Sequence, residues 1–186
     1  MNANLLRGEK VHLTALNPDD LPTIARWQEH SDYQRLFDAS PAYPRSIAQL
    51  TRWLEGEQQS RDVFLFAVHL LDGDNLIGYL DISGIIWSLQ VGWLGIGIGD
   101  PQHRGKGYGY DASRLALKFA FHEINLHRLQ LTVFSYNTHA IALYEKLGFL
   151  REGAYREFLH RDGQRYDMLL YGLLRREWEP FLKERE

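Results

Sequence analysis

Alternation of apolar and polar positions near the start of the chain predicts a strand followed by helices. In GEKVHLTAL every second residue from Val11 to Ala15 is apolar, as in a strand that buries one face. Asn17 and Pro18 then favour a helix start, because asparagine caps helices and proline suits the first helical position. The segment SIAQLTRWLEGEQQ repeats apolar residues at helical spacing behind a possible cap at Ser46. The pattern therefore predicts two helices after the first strand.

The remaining apolar runs predict a sheet interrupted by two further helices. Asp72-Gly-Asp-Asn separates two apolar runs and is typical of a hairpin, and another strand covers about residues 90–99. Residues 107–123 repeat apolar positions at three and four, RLQLTVF alternates, and NTHAIALYEKLGF reads as a short helix. A last hairpin turns at Asp162-Gly163. We predict an α/β (α+β) fold with a single mixed, mostly antiparallel sheet flanked by helices, in one domain over residues 1–186.

The composition of the chain argues against several functional classes. The 186 residues carry 21 Lys+Arg against 24 Asp+Glu, a net charge of -3, so we expect no direct nucleic-acid binding. The absence of cysteine excludes disulfides, thiolate metal sites and a cysteine nucleophile, and it fits a reducing compartment. The first residues lack the apolar run of a signal peptide, and no stretch approaches the roughly 20 apolar residues of a membrane span. We expect a soluble, cytoplasmic protein with no membrane partner.

The stretch WLGIGIGDPQHRGKGYGYDASRLALKFAF combines an unusual strand with a basic turn. Glycines stand at alternate positions 95, 97 and 99, so the strand lacks side chains on one face while Leu94, Ile96 and Ile98 point to the core. Glycine inside a strand is accepted where a ligand or another backbone approaches closely, although a bulge or tight packing is the alternative. The three glycines in register predict an open face against which a ligand can lie.

The turn that follows predicts an anion site. Its backbone N–H groups precede a helix, where unpaired donors and the helix dipole attract phosphate. Arg104 and Lys106 add positive charge, although such a pair is also typical of a solvated loop. A P-loop is excluded, because Asp100 stands where its first glycine belongs and Gly107 replaces its Ser or Thr. The dinucleotide motif G-x-G-x-x-G is excluded by Tyr110 at its third glycine.

Two motifs in order give the chain a resemblance to a known family. Arg104-x-x-Gly107-x-Gly109, opening a helix, resembles the acetyl-coenzyme A pyrophosphate loop of the GCN5-related N-acetyltransferase superfamily. NTHAIALYEKLGF resembles that superfamily's Asn-x-x-Ala-x-x-x-Tyr-x-x-x-Gly-Phe segment, with matches at Asn137, Ala140, Tyr144, Gly148 and Phe149. The flanking segments HRLQLTVFSYN and EGAYREFLHRDGQRYDMLLYGLLRREW resemble the RimJ/RimL-type branch, which acetylates ribosomal-protein N-termini and related amines. The resemblance covers almost the whole chain.

The resemblance implies an acetyl-coenzyme A-dependent N-acetyltransferase, with acetyl-coenzyme A as co-substrate and no metal. A primary amine, from a protein N-terminus, a polyamine or another small molecule, would attack the acetyl group directly in a ternary complex. In this family Tyr144 would protonate the leaving thiolate, and a developing oxyanion would be stabilised by backbone N–H groups. The implied cofactor contacts are Ile98 and Gly99 for pantetheine, Arg104, Gly105, Lys106, Gly107, Tyr108 and Gly109 for the diphosphate, and Asn137. The alternatives are a non-catalytic coenzyme A-binding sensor or scaffold and, third, a purely structural interaction domain.

Several roles stay open at the level of sequence. By spacing alone Tyr144 is equally a core aromatic, and Asn137 is equally a helix cap. Many relatives carry a carboxylate on the strand at about residues 90–99, at the position of Trp93, but this strand has no Asp or Glu before Asp100. The base that takes the amine proton is therefore a water relay or a group from elsewhere; the candidates are Asp81, Glu29 and His103.

The acceptor pocket is expected between the early helices and the last hairpin. Candidate lining residues are Trp27, Tyr33, Phe37, Tyr43 and Trp87, although most such aromatics belong to cores. Asp32, Asp38 and Asp81 are candidates to attract a cationic amine, with surface solvation the competing role for each. A peptide N-terminus, a polyamine, an aminoglycoside and a small amino-acid analogue all remain open as acceptors, and a homodimer is a possible assembly.

Overall fold

Seven strands form one sheet in the computed structural model, which describes residues 4–178. The strands are β1 Val11–Ala15, β2 Phe64–Leu70, β3 Leu76–Ile86, β4 Val91–Ile98, β5 Arg128–Phe134, β6 Leu150–Arg161 and β7 Gln164–Leu174. The helices are α1 Leu21–Gln28, α2 Ser31–Phe37, α3 Ile47–Gln59, α4 Tyr108–Lys118 and α5 Thr138–Lys146. The sheet order is β1-β2-β3-β4-β5-β7-β6.

Strand pairing confirms the predicted mixed, mostly antiparallel sheet flanked by helices. Among the described strands β4 and β5 run parallel, and every other neighbouring pair is antiparallel. Both predicted hairpins form, and Ser46 caps α3 by accepting a hydrogen bond from the Gln49 backbone N–H. The helix expected after Asn17 begins as a 3-10 turn and becomes α1 at Leu21. No helix among the described residues is long and apolar enough to cross a membrane.

The prediction of two helices after β1 was wrong, because the structure has three. The additional helix, α2, has seven residues and buries one of them, Tyr33. So short an element, with one buried position, leaves too little apolar periodicity to be recognised from the sequence. Its C-terminal end reaches the site described below.

Two apolar cores lie on opposite faces of the sheet. One core packs α4 and α5 against β3, β4 and β5, with Leu94 inside it and Ile96 and Ile98 packed against it, as predicted for this side of β4. The other core packs α1, α2 and α3 against the opposite face, around Trp27 and Tyr33. The glycine positions of β4 face this second core.

The glycine face of β4 is only partly open, because Gly95 and Gly97 line the two cavities described below while Gly99 is covered. A β carbon on Gly99 would lie 1.9 Å from the Trp27 ring, closer than any real contact allows. A β carbon on Gly97 would lie 3.0 Å from the Tyr33 hydroxyl oxygen. These glycines therefore let aromatic side chains of α1 and α2 reach the sheet, which is the tight-packing alternative for strand glycine.

Open space also lies in the plane of the sheet, between β4 and β5. The two strands pair from Val91–Trp93 to Arg128–Gln130, and beyond that point they diverge. The Gly99 N–H donates to the Ile77 carbonyl of β3, and antiparallel bonding alternates, so odd-numbered residues of β4 bond to β3. The C=O group of Leu94 and both backbone groups of Ile96, which lie beyond the last β4–β5 pair, consequently point into the gap.

Candidate functional site

Two adjoining cavities occupy the gap between the diverging strands. The larger cavity, of about 700 Å³, runs from the end of β4 past the glycine-rich turn to α5, and its walls include Ile98, Arg104, Gly105, Gly107, Gly109 and Leu143. The smaller cavity, of about 340 Å³, lies between β3, β4, β5 and the end of α2, and its walls include Asp38, Asp81, Ser83, Trp93, Phe134 and Met168. The residues that line both are Leu36, Phe37, Ile96, Asn137, Ala140 and Tyr144. The two cavities therefore form one continuous groove.

The glycine-rich turn has the conformation that an anion site requires. Gly105 and Gly107 adopt φ angles of +73° and +86°, which side chains disfavour, and Gly107 directly precedes α4. The first backbone N–H groups of α4 belong to Tyr108 and Gly109. The N–H groups at the start of a helix have no hydrogen-bond acceptor within the helix. The predicted turn is thus present at the wall of the larger cavity.

Lys10 and Asp111 fix this turn against β1, a contact that sequence reasoning missed. The Lys10 ammonium donates to the Lys106 carbonyl at 2.9 Å. The buried Asp111 carboxylate, in the first turn of α4, accepts from the backbone N–H groups of Lys10 and Val11 at 2.7 and 3.1 Å. The partners are about 100 residues apart, so no local sequence pattern predicts these hydrogen bonds.

Arg104 supports the end of β4 with its guanidinium group. Its Nε and Nη2 atoms donate to the carbonyls of Ile98 and Gly99 at 3.1 and 3.0 Å, and Nη1 pairs with Asp32 of α2 at 3.3 Å. The Gly99 N–H is bonded to Ile77. Both backbone polar groups of Gly99 are therefore engaged within the protein.

Asn137 is a helix cap that also bridges the two sides of the groove. Its side-chain oxygen accepts from the Ala140 N–H at 3.2 Å, and its amide nitrogen donates to the Leu36 carbonyl at 3.2 Å. The capping interpretation is therefore right, and the side chain also joins α5 to α2 at the groove where the two cavities meet.

Tyr144 is both a core aromatic and a wall of the two cavities. It is 6% exposed, belongs to the core beside α4, and its ring packs edge-on against Phe149. Burial, reinforced by the negative charge of Asp81, raises the pKa of the Tyr144 hydroxyl well above its usual value. The hydroxyl therefore keeps its proton at neutral pH and is available as a donor.

Of the three candidate bases, Asp81 lines the smaller cavity. It is half-buried on β3, and burial raises the pKa of its carboxyl. Glu29 is exposed after α1 and lines neither cavity. His103 lines the larger cavity beside the turn, with Nδ1 3.7 Å from the Asp100 carboxylate. The structure therefore brings Asp81 and Tyr144 to one cavity and leaves the other candidates outside it.

The structure places some of the aromatic residues predicted to line the acceptor pocket at the cavities and others away from them. Phe37 lines both cavities and Tyr33 lines the larger one, whereas Trp27 lies beneath Gly99. Tyr43 and Trp87 are 52% and 45% exposed and line neither cavity. The lining residues that the sequence did not indicate include Leu36, Phe134 and Met168.

The end of α2 is held over the smaller cavity by the β6–β7 hairpin. Arg161 donates to the carbonyls of residues 38, 39 and 40 at 3.1, 3.1 and 2.9 Å. Arg35 forms an ion pair with Asp162 at the hairpin turn, and the Tyr136 hydroxyl donates to the Arg35 carbonyl. This wall therefore combines segments more than 100 residues apart, for which the sequence carries no local signal.

Comparison with known proteins matches this architecture to acetyltransferases. Residues 10–150 match the sequence model of the acetyltransferase (GNAT) domain. The SPbeta prophage-derived uncharacterized N-acetyltransferase YokL of Bacillus subtilis is 30% identical over 92% of this chain and 94% of its own. The [ribosomal protein uS5]-alanine N-acetyltransferase of Escherichia coli is 26% identical over 77% of this chain and 74% of its own.

A solved structure extends the match to three dimensions. Spermidine N-acetyltransferase from Vibrio cholerae, in complex with CoA and spermine, superposes with a TM-score of 0.83. The two are 26% identical, and the match covers 91% of this chain and 98% of the other.

Proposed function

Because this chain belongs to the GNAT acetyltransferase family and is an acetyl-coenzyme A-dependent N-acetyltransferase, we propose that its two cavities divide the reaction between them. The larger cavity receives the cofactor and the smaller one receives the amine. The observation that carries this proposal is that the cavities meet at Tyr144, beside the gap where β4 leaves β5. The resemblance read from the two sequence motifs is confirmed.

The larger cavity fits the chemical groups of acetyl-coenzyme A. Backbone N–H groups from Gly105 to Gly109, at the start of α4, suit the diphosphate, and Lys106 adds an exposed positive charge. The Leu94 carbonyl and the Ile96 N–H and C=O groups face the gap like an unpaired strand edge, which suits the amides of pantetheine. Arg104 contributes by holding the end of β4 through its hydrogen bonds to the Ile98 and Gly99 carbonyls.

The chemistry requires an acid beside the sulfur of the cofactor. Acetyl-coenzyme A supplies an activated acyl group, and no covalent enzyme intermediate is needed. We assign the donation of a proton to the departing thiolate to Tyr144, whose buried hydroxyl keeps its proton at neutral pH. Asn137 orders the start of α5 and so fixes the helix that carries this tyrosine.

The smaller cavity suits an amine carried on a mainly apolar body. Phe37, Trp93, Phe134 and Met168 supply apolar walls, while the described lining contains the carboxylates of Asp38 and Asp81. Two carboxylates in one cavity can neutralise one ammonium group, but they provide no partners for the further ammonium groups spaced along a polyamine. We therefore expect a singly charged primary amine, such as a peptide N-terminus, to be a better acceptor than spermidine.

The direct test is incubation with acetyl-coenzyme A and a panel of amines, with release of free thiol as the readout. The panel contains alanine- and serine-initiated peptides, simple alkylamines, spermidine and an aminoglycoside. Turnover with a singly charged amine supports the proposal, and preference for spermidine contradicts the assigned acceptor class. Cofactor binding without turnover of any amine would favour the sensor or scaffold alternative.

A further inference from the structure

We infer that Asp81 accepts the proton of the attacking amine, and that Gly95 is a glycine because it makes room for this carboxylate. The inference rests on the proposed function of the smaller cavity. It assigns the base to β3, whereas the adjoining strand β4 carries no Asp or Glu of its own.

The Asp81 carboxylate lies over the backbone of the neighbouring strand. Asp81 and Gly95 are direct partners in the β3–β4 ladder, and both side-chain positions face the side of α1 and α2. A β carbon on Gly95 would lie 2.6 Å from the Asp81 Oδ1 atom. The carboxylate thus occupies the space that a side chain at position 95 would need, and this space opens into the smaller cavity.

Asp81 is better placed for proton transfer than the second carboxylate of the cavity. Asp38 is exposed, and its Oδ1 atom accepts a hydrogen bond from the Ser40 backbone N–H at 2.8 Å. Asp81 is half-buried and close enough to Tyr144 to act on it electrostatically. Asp81 and the assigned acid therefore line one cavity, as a base and an acid acting on the same reacting centre must.

The surroundings of Asp81 favour its protonated form. Burial is the main cause of its raised pKa, the negative Glu57 of α3 adds to it, and the Ser83 hydroxyl opposes it. The neutral phenols of Tyr79 and Tyr144 also face this carboxyl, and Asp38 lines the same cavity. A carboxylate that binds a proton more readily than usual is a stronger base for an ammonium group.

The proton balance of the reaction is complete with these two residues. Asp81 takes one proton from the ammonium group, the free amine forms the C–N bond with the acetyl carbon, and the C–S bond breaks. Tyr144 gives its proton to the sulfur. The nitrogen then loses a second proton, which restores Tyr144, while the proton on Asp81 leaves to solvent. The net products are the amide, coenzyme A and one proton.

The test is the variant Asp81→Asn in single-turnover acetyl transfer at saturating acetyl-coenzyme A. With an acceptor that is mostly protonated at neutral pH, we expect the rate to fall roughly a hundredfold or more, the usual scale for a positioned base. With a fluorinated analogue of the same amine, which is neutral at the assay pH, the loss should shrink to a few-fold. The wild type should lose activity as the pH falls through the raised pKa of Asp81. The pH–rate profile of the variant should lack this acidic decline.

Stability separates a catalytic carboxylate from a structural one. Because the folded-state pKa is raised, the folded protein binds this proton more tightly than the unfolded chain does, so the contribution of Asp81 to stability falls as pH rises. Asp81→Asn should therefore keep or raise the unfolding temperature at pH 7. Gly95→Ala should reproduce the kinetic loss by displacing the carboxylate, whereas Gly56→Ala, with open space at its β position, should not.

Each outcome decides between the assignments. Equal single-turnover rates for wild type and Asp81→Asn would overturn the inference and leave the proposed function intact. A raised acceptor KM with an unchanged chemical step would make Asp81 a cation anchor instead of a base. A loss that persists with the neutral amine would make its role structural. If the wild type acetylates no amine, both the proposed function and the inference fall.

Discussion

The two cavities that meet at Tyr144 are built in different ways. The larger one is made mainly from two continuous stretches, the turn with the first residues of α4 and the segment around α5. The smaller one collects side chains from α2, β3, β4, β5, α5 and β7. Residues close together in the sequence therefore form most of the first cavity, and residues from distant elements form the second. The comparison teaches that cofactor binding and acceptor choice can be altered separately.

The largest effect is expected where the cavities join. Tyr144→Phe keeps the ring packed against Phe149 and removes the hydroxyl, so both substrates should still bind. If the hydroxyl protonates the thiolate, the chemical step should slow by roughly a hundredfold or more. Single-turnover transfer measures this step even if product release limits the steady state. A variant with the wild-type chemical rate would leave Tyr144 as a core aromatic without a chemical role.

The next effect should be confined to the larger cavity. Gly107→Val places a branched side chain at a φ of +86°, 3.2 Å from the Lys10 ammonium, and should weaken acetyl-coenzyme A binding about tenfold or more through strain of roughly 1 to 3 kcal/mol. The control is Gly73→Val, which has a φ of +78° in the β2–β3 turn away from both cavities. Calorimetry that finds equal affinities in the two folded variants would contradict the phosphate assignment.

A smaller effect should be confined to the smaller cavity. Trp93→Ala removes a lining indole that is already 37% exposed, so the acceptor KM should rise about three- to tenfold, corresponding to roughly 1 kcal/mol of lost apolar contact. The cofactor KM should stay unchanged. Trp87→Ala, which removes a 45% exposed indole outside both cavities, is the matched control. A cofactor KM that rises together with the acceptor KM would show that the cavities are not separable.

The smallest effect tests the ion pair that links the two regions. Asp32 of α2 pairs with Arg104 of the turn in a partly exposed position, where such pairs contribute about 0 to 1 kcal/mol. Asp32→Asn should therefore change the unfolding temperature little and the affinity for acetyl-coenzyme A by at most about threefold. Thermal unfolding and calorimetry on one sample measure both. A tenfold change would mean that α2 controls the cofactor turn.

The parts of the molecule that the sequence predicts are those set by local chemistry. Strand alternation, turn residues and the glycines at positions 105 and 107 act over a few residues, so the sheet and the turn were correctly anticipated. The alternate glycines of β4 were recognised, but the side chains that fill the space beside them, Trp27 at Gly99, Tyr33 at Gly97 and Asp81 at Gly95, lie on other elements and could not be read from the strand. Asp81 could be named only as one possibility among several until its position opposite Gly95 was seen. The single-domain organisation and a homodimer remain predictions.

The parallel pairing of β4 with β5 implies an order in which the strands of the sheet assemble. Strands β2, β3 and β4 are joined by short hairpins, so that part of the sheet can form from local contacts as it is synthesised, with β1 paired to β2 across the first three helices. β5 joins in parallel, which a tight turn cannot accomplish, so it must wait for α4 to cross over. The turn at residues 104–109 therefore leaves the ribosome well before Tyr144, and the groove comes into being only when the C-terminal strands dock. We expect a truncated chain to keep the turn and lack a site.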